Sequence, residues 1–79
     1  MEEKQFPDGK ISSVKDIGRI VSVRRKAQKL TQADIAGLGQ TGNRFIVDLE
    51  KGKGTVQFDK VLHILDLMGL DMVIVERGK

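Results

Sequence analysis

The chain has 79 residues and contains no cysteine, one proline and one histidine. Without cysteine, neither a disulfide framework nor a thiolate zinc site can stabilise it, and no cysteine–histidine catalytic pair is possible. The single histidine, His63, lies between Leu62 and Ile64, which favours packing or an interface over catalysis. Asp48 and Glu50 are two residues apart on a predicted helix, so their carboxylates do not face each other. We therefore expect no enzyme activity, no metal site and no cofactor.

Long apolar runs are also missing. No stretch approaches the ~20 residues of a membrane-spanning helix, and the initial MEEKQFPDG does not have a signal-peptide pattern. We therefore expect a soluble, cytoplasmic protein that binds no membrane. The excess of charge is small, since 14 basic and 11 acidic residues give a formal net charge of +3. That balance favours a polyanionic partner only weakly.

Composition and turn signals divide the chain into four parts. Pro7-Asp8-Gly9 is typical of a turn, and it lies in a segment that we interpret as a flexible arm. The predicted parts are the N-terminal arm (1–12), a helical domain (13–70), a dimerisation strand (71–76) and a tail (77–79).

Two helices are predicted on either side of a central segment. The first runs from Ser13 to Gln28, and Ser13 with Asp16 forms a capping-box pattern. The other runs from Val56 to Met68, with Thr55 as its N-cap. Its expected core face consists of Phe58, Val61, Leu62 and Leu65. Three further apolar residues, Ile64, Leu67 and Met68, widen this face so far that a second copy of the chain is expected to cover it.

A strand is predicted at Asp71–Glu76, because β-branched residues lie there between Gly69 and Gly78. One strand cannot complete its own hydrogen-bond ladder, and an exposed apolar edge promotes aggregation. We expect it to pair with its symmetry mate in a two-fold dimer. The residues predicted to form the dimer contact are Ile64, Leu67, Met72, Val73, Ile74 and Val75.

The central segment, Leu30 to Gly52, predicts two short helices joined by a tight turn. Thr31 is a suitable N-cap for the first helix. Ile46 and Leu49 lie three apart on one face of the second, and Gly52 is its C-terminal stop. Four basic residues, Arg24, Arg25, Lys26 and Lys29, come just before this segment.

The segment resembles the helix-turn-helix of the Xre (Cro/C1-type) family, whose pattern is roughly L-T-Q-x-x-L-A-x-x-A-G-V-S-x-x-x-I-S-x-L-E-x-G. The residues that agree without a gap are Leu30, Thr31, Gln32, Ile35, Ala36, Ile46, Leu49, Glu50 and Gly52. The turn departs from the pattern, because Gln40 stands where the family usually has glycine and Gly42 where serine usually caps the second helix. A non-glycine residue in a left-handed conformation costs about 1 kcal/mol.

The resemblance implies that the second helix of the motif enters a DNA major groove. By its chemistry Arg44 can bond guanine O6 and N7, and Asn43 can bond adenine edges. Val47 lies one turn later and suits a thymine methyl group. Arg44 can also be interpreted as a phosphate contact. Phe45 can be interpreted as core packing or as base stacking, and packing is preferred.

Other side chains are assigned to the phosphate backbone or to structure. Thr31 and Gln32 begin the first motif helix, where free amides attract phosphate. Thr41 is interpreted as a phosphate or thymine contact, or as turn packing. The basic residues after the second helix, Lys51 and Lys53, are either phosphate contacts or free charges. The family resemblance implies a partly buried ion pair between Arg25 and Glu50.

The run DKVLHILDLMGLDMVIV resembles the end of the HipB-like antitoxins within the Xre family. This resemblance implies an all-α domain of four to five helices with one C-terminal β-strand, paired across a two-fold dimer. It further implies an antitoxin that binds an inverted-repeat operator in double-stranded DNA, represses its own operon and binds a HipA-type serine/threonine kinase toxin. The alternative is a general or phage-type repressor with no toxin partner.

Overall fold

The computed structural model of the protein describes residues 9–77. In chain order its helices are α1 (Val14–Ala27), α2 (Gln32–Gly39), α3 (Asn43–Lys51) and α4 (Phe58–Leu67). Most of the predicted arm, residues 1–8, and the last two residues of the predicted tail lie outside the described residues. Over the described part of the chain, no helix is long and apolar enough to cross a membrane.

The start of α1 is stabilised by one aspartate. The Oδ2 atom of Asp16 accepts hydrogen bonds from the backbone amides of Ser12 at 2.7 Å and Ser13 at 3.1 Å. These bonds to the charged carboxylate, above all the one from Ser12, lower the pKa of Asp16. The predicted start of the helix near Ser13 is therefore explained by the aspartate of its capping-box pattern.

A reciprocal capping arrangement begins α2. Thr31 Oγ1 accepts a hydrogen bond from the Asp34 amide at 3.0 Å, and Asp34 Oδ2 accepts one from the Thr31 amide at 2.8 Å. Each side chain thus satisfies an amide that has no partner within the helix. The backbone hydrogen bond from Thr31 is the main cause of the lowered pKa of Asp34.

The hydrophobic core is formed by side chains from all four helices. Its buried apolar members are Ile17, Val21, Ile35, Ala36, Ile46, Leu49, Val61, Ile64, Leu65 and Met68. Gly18 is also buried, and a Cβ there would overlap the Leu49 carbonyl oxygen. Glycine at this position therefore lets the backbone of α1 approach the end of α3 closely, which positions α3 against the rest of the domain.

Helix α4 differs from its prediction in both its start and its buried face. It begins at Phe58, because Val56 lies in a turn where its amide donates to the Lys53 carbonyl at 3.3 Å, so Gln57 rather than Thr55 is the N-cap. Phe58 and Leu62, predicted to face the core, are exposed. The buried stripe is Val61, Ile64, Leu65 and Met68.

The end of α4 is anchored to α1 by a contact that the sequence did not indicate. Arg24 Nε donates to the Met68 carbonyl oxygen at 3.0 Å. The last carbonyls of a helix have no partners within it, and an arginine side chain can satisfy one of them. Arg24, one of the four basic residues just before the central segment, therefore links two helices.

The segment after α4 contains no strand hydrogen bonds within residues 9–77. Its apolar side chains are largely exposed, and Ile74 reaches 95%. A strand needs a partner for its ladder, so a segment with this composition cannot form one alone. The strand at 71–76 and its pairing across a dimer stay predictions.

The caps predict how stability depends on pH. Because the folded-state pKa of Asp34 is lowered below its ordinary value of 3.8, the carboxylate stabilises the fold above that value, and the contribution is lost as pH falls through the lowered pKa. Asp34→Asn should therefore lower Tm near neutral pH but lose this deficit in acid, as measured by circular dichroism melts over a pH series. Asp66→Asn, at an exposed position on α4, is the control. A deficit that stays constant with pH would contradict the prediction.

Candidate nucleic-acid interface

Helices α2 and α3 form a helix-turn-helix whose turn is built around Gln40. This residue has φ 56° and ψ 41°, in the left-handed region. The Gln40 amide donates to the Gly37 carbonyl at 3.2 Å, and the Thr41 amide donates to the Ala36 carbonyl at 3.0 Å. These bonds close the end of α2 and offset the cost of about 1 kcal/mol for a left-handed residue other than glycine.

One carboxylate, that of Glu50 in α3, joins α1, α2 and α3. Arg25 Nε donates to Glu50 Oε2 at 2.7 Å and Arg25 Nη2 to Oε1 at 2.9 Å, so the pair is bidentate. Arg25 Nη1 donates to the Leu30 carbonyl at 2.8 Å. The hydrogen bonds to Glu50 raise the pKa of Arg25 despite its burial. The expected pair is thus present, and it has a structural role.

Gln32 lies at the first turn of α2 and is bound to the same carboxylate. Its Nε2 atom donates to Glu50 Oε1 at 3.1 Å. An amide nitrogen has two N–H groups, so one remains for a second acceptor. Because the amide is half-buried and held by Glu50, its side chain is positioned beside the free amides at the start of α2.

The start of α3 presents its polar side chains to solvent. Asn43 and Arg44 are exposed, and the Arg44 side chain is 80% accessible. Val47, one turn later, is half-buried. Phe45 packs against the core, and Lys60 Nζ lies 5.8 Å from its ring centroid. Packing, the preferred interpretation of Phe45, agrees with this position.

Thr41 and Gly42 connect the two helices of the motif. Thr41 is half-buried, and its Oγ1 donates to the Gly42 carbonyl at 3.3 Å. Gly42 is the N-cap of α3 and supplies no side-chain cap. The Phe45 amide donates to the Gly42 carbonyl at 3.1 Å. The amides of Asn43 and Arg44 lack the side-chain oxygen that a serine would place there, which leaves them available to an acceptor from outside.

The basic residues at the end of α3 and just after it are exposed, but one of them has an acidic partner. Lys51 and Lys53 are exposed. Lys53 Nζ lies 3.7 Å from Asp48 Oδ2, and Arg44 Nε lies 3.2 Å from Asp48 Oδ1. This role of Asp48 was not predicted, although the four-residue spacing of Arg44 and Asp48 on a helix is a usable signal for such a pair.

The residues assigned to a dimer contact fall into two groups. Ile64 has 0% exposure and belongs to the core of its own chain, which corrects its assignment to a contact between chains. The others, Leu67, Met72, Val73, Ile74 and Val75, are exposed. The error over Ile64 arose because α4 is apolar on several sides, so periodicity alone does not select the inner face.

Among the described residues, no group of three or more histidine or acidic side chains is placed to hold a metal ion. The remaining surface of the motif, two helix starts flanked by exposed polar and basic side chains, has the form of a helix-turn-helix nucleic-acid interface.

Comparison with known proteins agrees with this geometry. No protein-family model matches the chain. The chain is 44% identical over 70 residues to the uncharacterized HTH-type transcriptional regulator y4mF of Sinorhizobium fredii, and the alignment covers 89% of this chain and 92% of that protein. The chain therefore belongs to the family of helix-turn-helix transcriptional regulators.

The buried pair predicts a non-additive effect of mutations. Arg25→Met leaves Glu50 buried without its partner and should lower the free energy of unfolding by about 3 kcal/mol. Arg25→Met with Glu50→Leu removes both charges and should recover most of that loss. Denaturant unfolding measures both, and Arg19→Met, in an exposed pair with Asp16, is the control. A double variant that is no more stable than Arg25→Met would contradict the prediction.

Proposed function

We propose that this protein is a sequence-specific DNA-binding repressor that acts as a two-fold dimer. The observation that carries the proposal is the division of α3 into two sides. Ile46 and Leu49 are buried in the core, whereas Asn43 and Arg44 are exposed at the start of the helix. Membership of a family of transcriptional regulators supports a DNA target for the exposed side.

Phosphate contacts would position the domain on the duplex. The N-terminus of α2 carries free amides and the positive end of the helix dipole, which suit a phosphate. Thr31 caps this helix, and the remaining N–H of Gln32 can donate to the same backbone. Lys51 and Lys53 can reach phosphates beyond the end of α3. Such contacts fix register and make affinity fall with salt, but they carry no sequence information.

Base recognition is assigned to the start of α3. Arg44 projects from the first turn and can form a bidentate pair with guanine, which discriminates against other bases by about 1–3 kcal/mol. Asn43 can bind an adenine edge, and Val47 can contact a thymine methyl group. Thr41, half-buried beside them, is assigned to the backbone at the edge of the groove.

The dimer part of the proposal is supported by apolar surface that one chain does not cover. A groove of about 290 Å³ lies between α1, the end of α4 and the segment after it. Its apolar lining is Ile11, Ile17, Ile20, Leu65, Leu70, Met72 and Val73. Val73 in this lining is exposed, and so are Ile74 and Val75 beyond the groove. Pairing of segment 71–76 with its symmetry mate would cover these residues and place two α3 helices about 34 Å apart on an inverted repeat.

A narrower form of the proposal is an antitoxin that represses its own operon and binds a HipA-type kinase toxin. It is supported by the C-terminal resemblance and by Phe58 and Leu62, which leave apolar surface on α4 available to a protein partner. Isothermal titration of the dimer with a kinase encoded beside its gene separates this function from that of a repressor without a toxin.

The proposal predicts that Arg44→Ala weakens binding to the specific operator by about 1–3 kcal/mol. Binding to unrelated DNA should change much less, because there Arg44 contributes only a single contact to phosphate, which carries little sequence preference. Fluorescence anisotropy with duplex from upstream of the protein's own gene, against a scrambled duplex at two salt concentrations, measures both affinities. Arg19→Ala on α1 is the matched charge control. Equal losses on both duplexes would refute the base-reading role.

The dimer predicts a defined effect of proline in the terminal segment. Ile74→Pro removes a backbone donor from the strand ladder and should convert the dimer to a monomer or an aggregate, as should deletion of residues 71–79. Light scattering coupled to size exclusion measures the mass, and Ile74→Val is the control. A stable dimer of the proline variant would contradict pairing through this strand.

A further inference from the structure

Asp48 is the one residue near the end of α3 that contacts both a proposed base-reading side chain and a proposed phosphate-binding one. Its side chain is 17% exposed, and its two oxygens lie 3.2 Å from Arg44 Nε and 3.7 Å from Lys53 Nζ. We propose that Asp48 is a positioning and specificity-determining residue, which orients Arg44 for guanine and restrains binding to unrelated DNA. This inference rests on the proposed function.

The contact with Arg44 leaves the useful part of the guanidinium free. Asp48 is bound at Nε, so the two terminal nitrogens of Arg44 remain as a planar fork. A fork of this kind matches guanine O6 and N7. The Arg44 side chain is otherwise exposed, so without Asp48 it samples many rotamers, and ordering them opposes binding.

Lys53 is held by the same residue in two ways. Its backbone amide donates to the Asp48 carbonyl at 3.0 Å, in the turn that ends α3. Gly52, with φ 80°, supplies the left-handed residue that this turn needs. The Lys53 ammonium then lies within reach of the Asp48 carboxylate. The Asp48 side chain therefore links α3 to Lys53 in the loop that follows the helix.

Helix stability does not explain an aspartate at this position. A negative charge is favourable near a helix N-terminus and unfavourable toward the C-terminus, and α3 has no acidic residue in its first turn. The order basic then acidic, four residues apart, is also the weaker orientation for a helical pair. Asp48 therefore contributes through its contacts with Arg44 and Lys53 and not through the stability of the helix.

The carboxylate also acts on DNA binding directly. A negative charge beside the groove-facing surface repels phosphates of every sequence, and here it offsets part of the charge of Arg44 and Lys53. On unrelated DNA this repulsion is uncompensated. On a site with guanine opposite Arg44, the oriented fork gains its bidentate bonds, so the same residue widens the difference between the two affinities.

The test uses the full chain and a pool of DNA duplexes with a randomised central segment. Wild type, Asp48→Asn, Arg44→Ala and the double variant are each used to select bound duplexes, which are then sequenced. Asp66→Asn, with the same change of charge on α4, is the matched control. The affinity of each protein for the unselected pool is measured at two salt concentrations.

We expect wild type to enrich a motif with a guanine in each half-site. Asp48→Asn should weaken the preference for that guanine about tenfold and bind the unselected pool more tightly, with a steeper dependence on salt. In the Arg44→Ala background, Asp48→Asn should no longer change base preference, because its effect passes through Arg44. The Asp66→Asn control should select the wild-type motif.

The outcomes that overturn the inference differ from failure of the proposed function. If wild type enriches no motif, the proposed function fails and this inference falls with it. A motif with guanine preference unchanged in Asp48→Asn, or changed equally with and without Arg44, overturns the positioning role alone. The heteronuclear NOE of the Arg44 Nε–Hε group in the DNA-free protein is an independent readout. It should fall in Asp48→Asn, and equal values in the two proteins would overturn the inference.

Discussion

The arrangement of the domain depends on the buried pair of Arg25 and Glu50. Glu50 lies near the end of α3 and receives hydrogen bonds from Arg25 on α1 and Gln32 on α2. Arg25 also binds the Leu30 carbonyl, just before the cap of α2. A buried charge of either sign without its partner is strongly unfavourable. The three helices are therefore held in one mutual orientation, and the two helix starts of the motif are positioned together.

Close backbone packing makes this orientation possible. Within residues 9–77 the core holds ten buried apolar side chains, and a domain of this size buries a modest fraction of its surface. Gly18 brings α1 against the Leu49 carbonyl, one residue before Glu50, so the ion pair and the close approach stabilise the same contact. Arg24 adds a bond from α1 to the end of α4. Polar contacts to backbone carbonyls thus supplement a small core.

The sequence predicted the helices well where local chemistry decides the structure. The Ser13–Asp16 pair and Thr31 are local signals for where α1 and α2 begin, and Gly52 is one for where α3 ends. Each agrees with the observed bound to within about one residue. The Arg25–Glu50 pair followed from a family resemblance, since nothing in spacing alone joins residues 25 apart. The inner face of α4 was predicted only in part, because apolar residues lie on several sides of that helix: Val61 and Leu65 are buried as expected, but Phe58 and Leu62 are exposed. Two stripes, one through Phe58 and Leu62 and one through Ile64 and Met68, satisfied the same periodicity.

Two features could not be predicted from the sequence alone: the side-chain contacts of Asp48 and the pairing of segment 71–76. The contacts of Asp48 with Arg44 and Lys53 depend on side-chain rotamers and on the turn at Gly52, although the spacing of Arg44 and Asp48 permitted the first. A strand at 71–76 would require a second strand beside it, because a strand ladder is a property of a pair of strands. Local chemistry specifies where such a segment begins and ends but does not determine what pairs with it.

The small net charge of the domain favours discrimination between DNA sequences over attraction to DNA of any sequence. A net charge of +3 gives weak attraction to any polyanion, and Asp48 offsets part of the basic charge on the surface of α3. Phosphate contacts alone would bind all sequences alike. In the proposed function, a small domain with little excess charge therefore obtains its affinity from base contacts and from a second copy that doubles them. The proposal assigns the base contacts to the exposed start of α3. It assigns the contact with the second copy to the exposed apolar residues after α4.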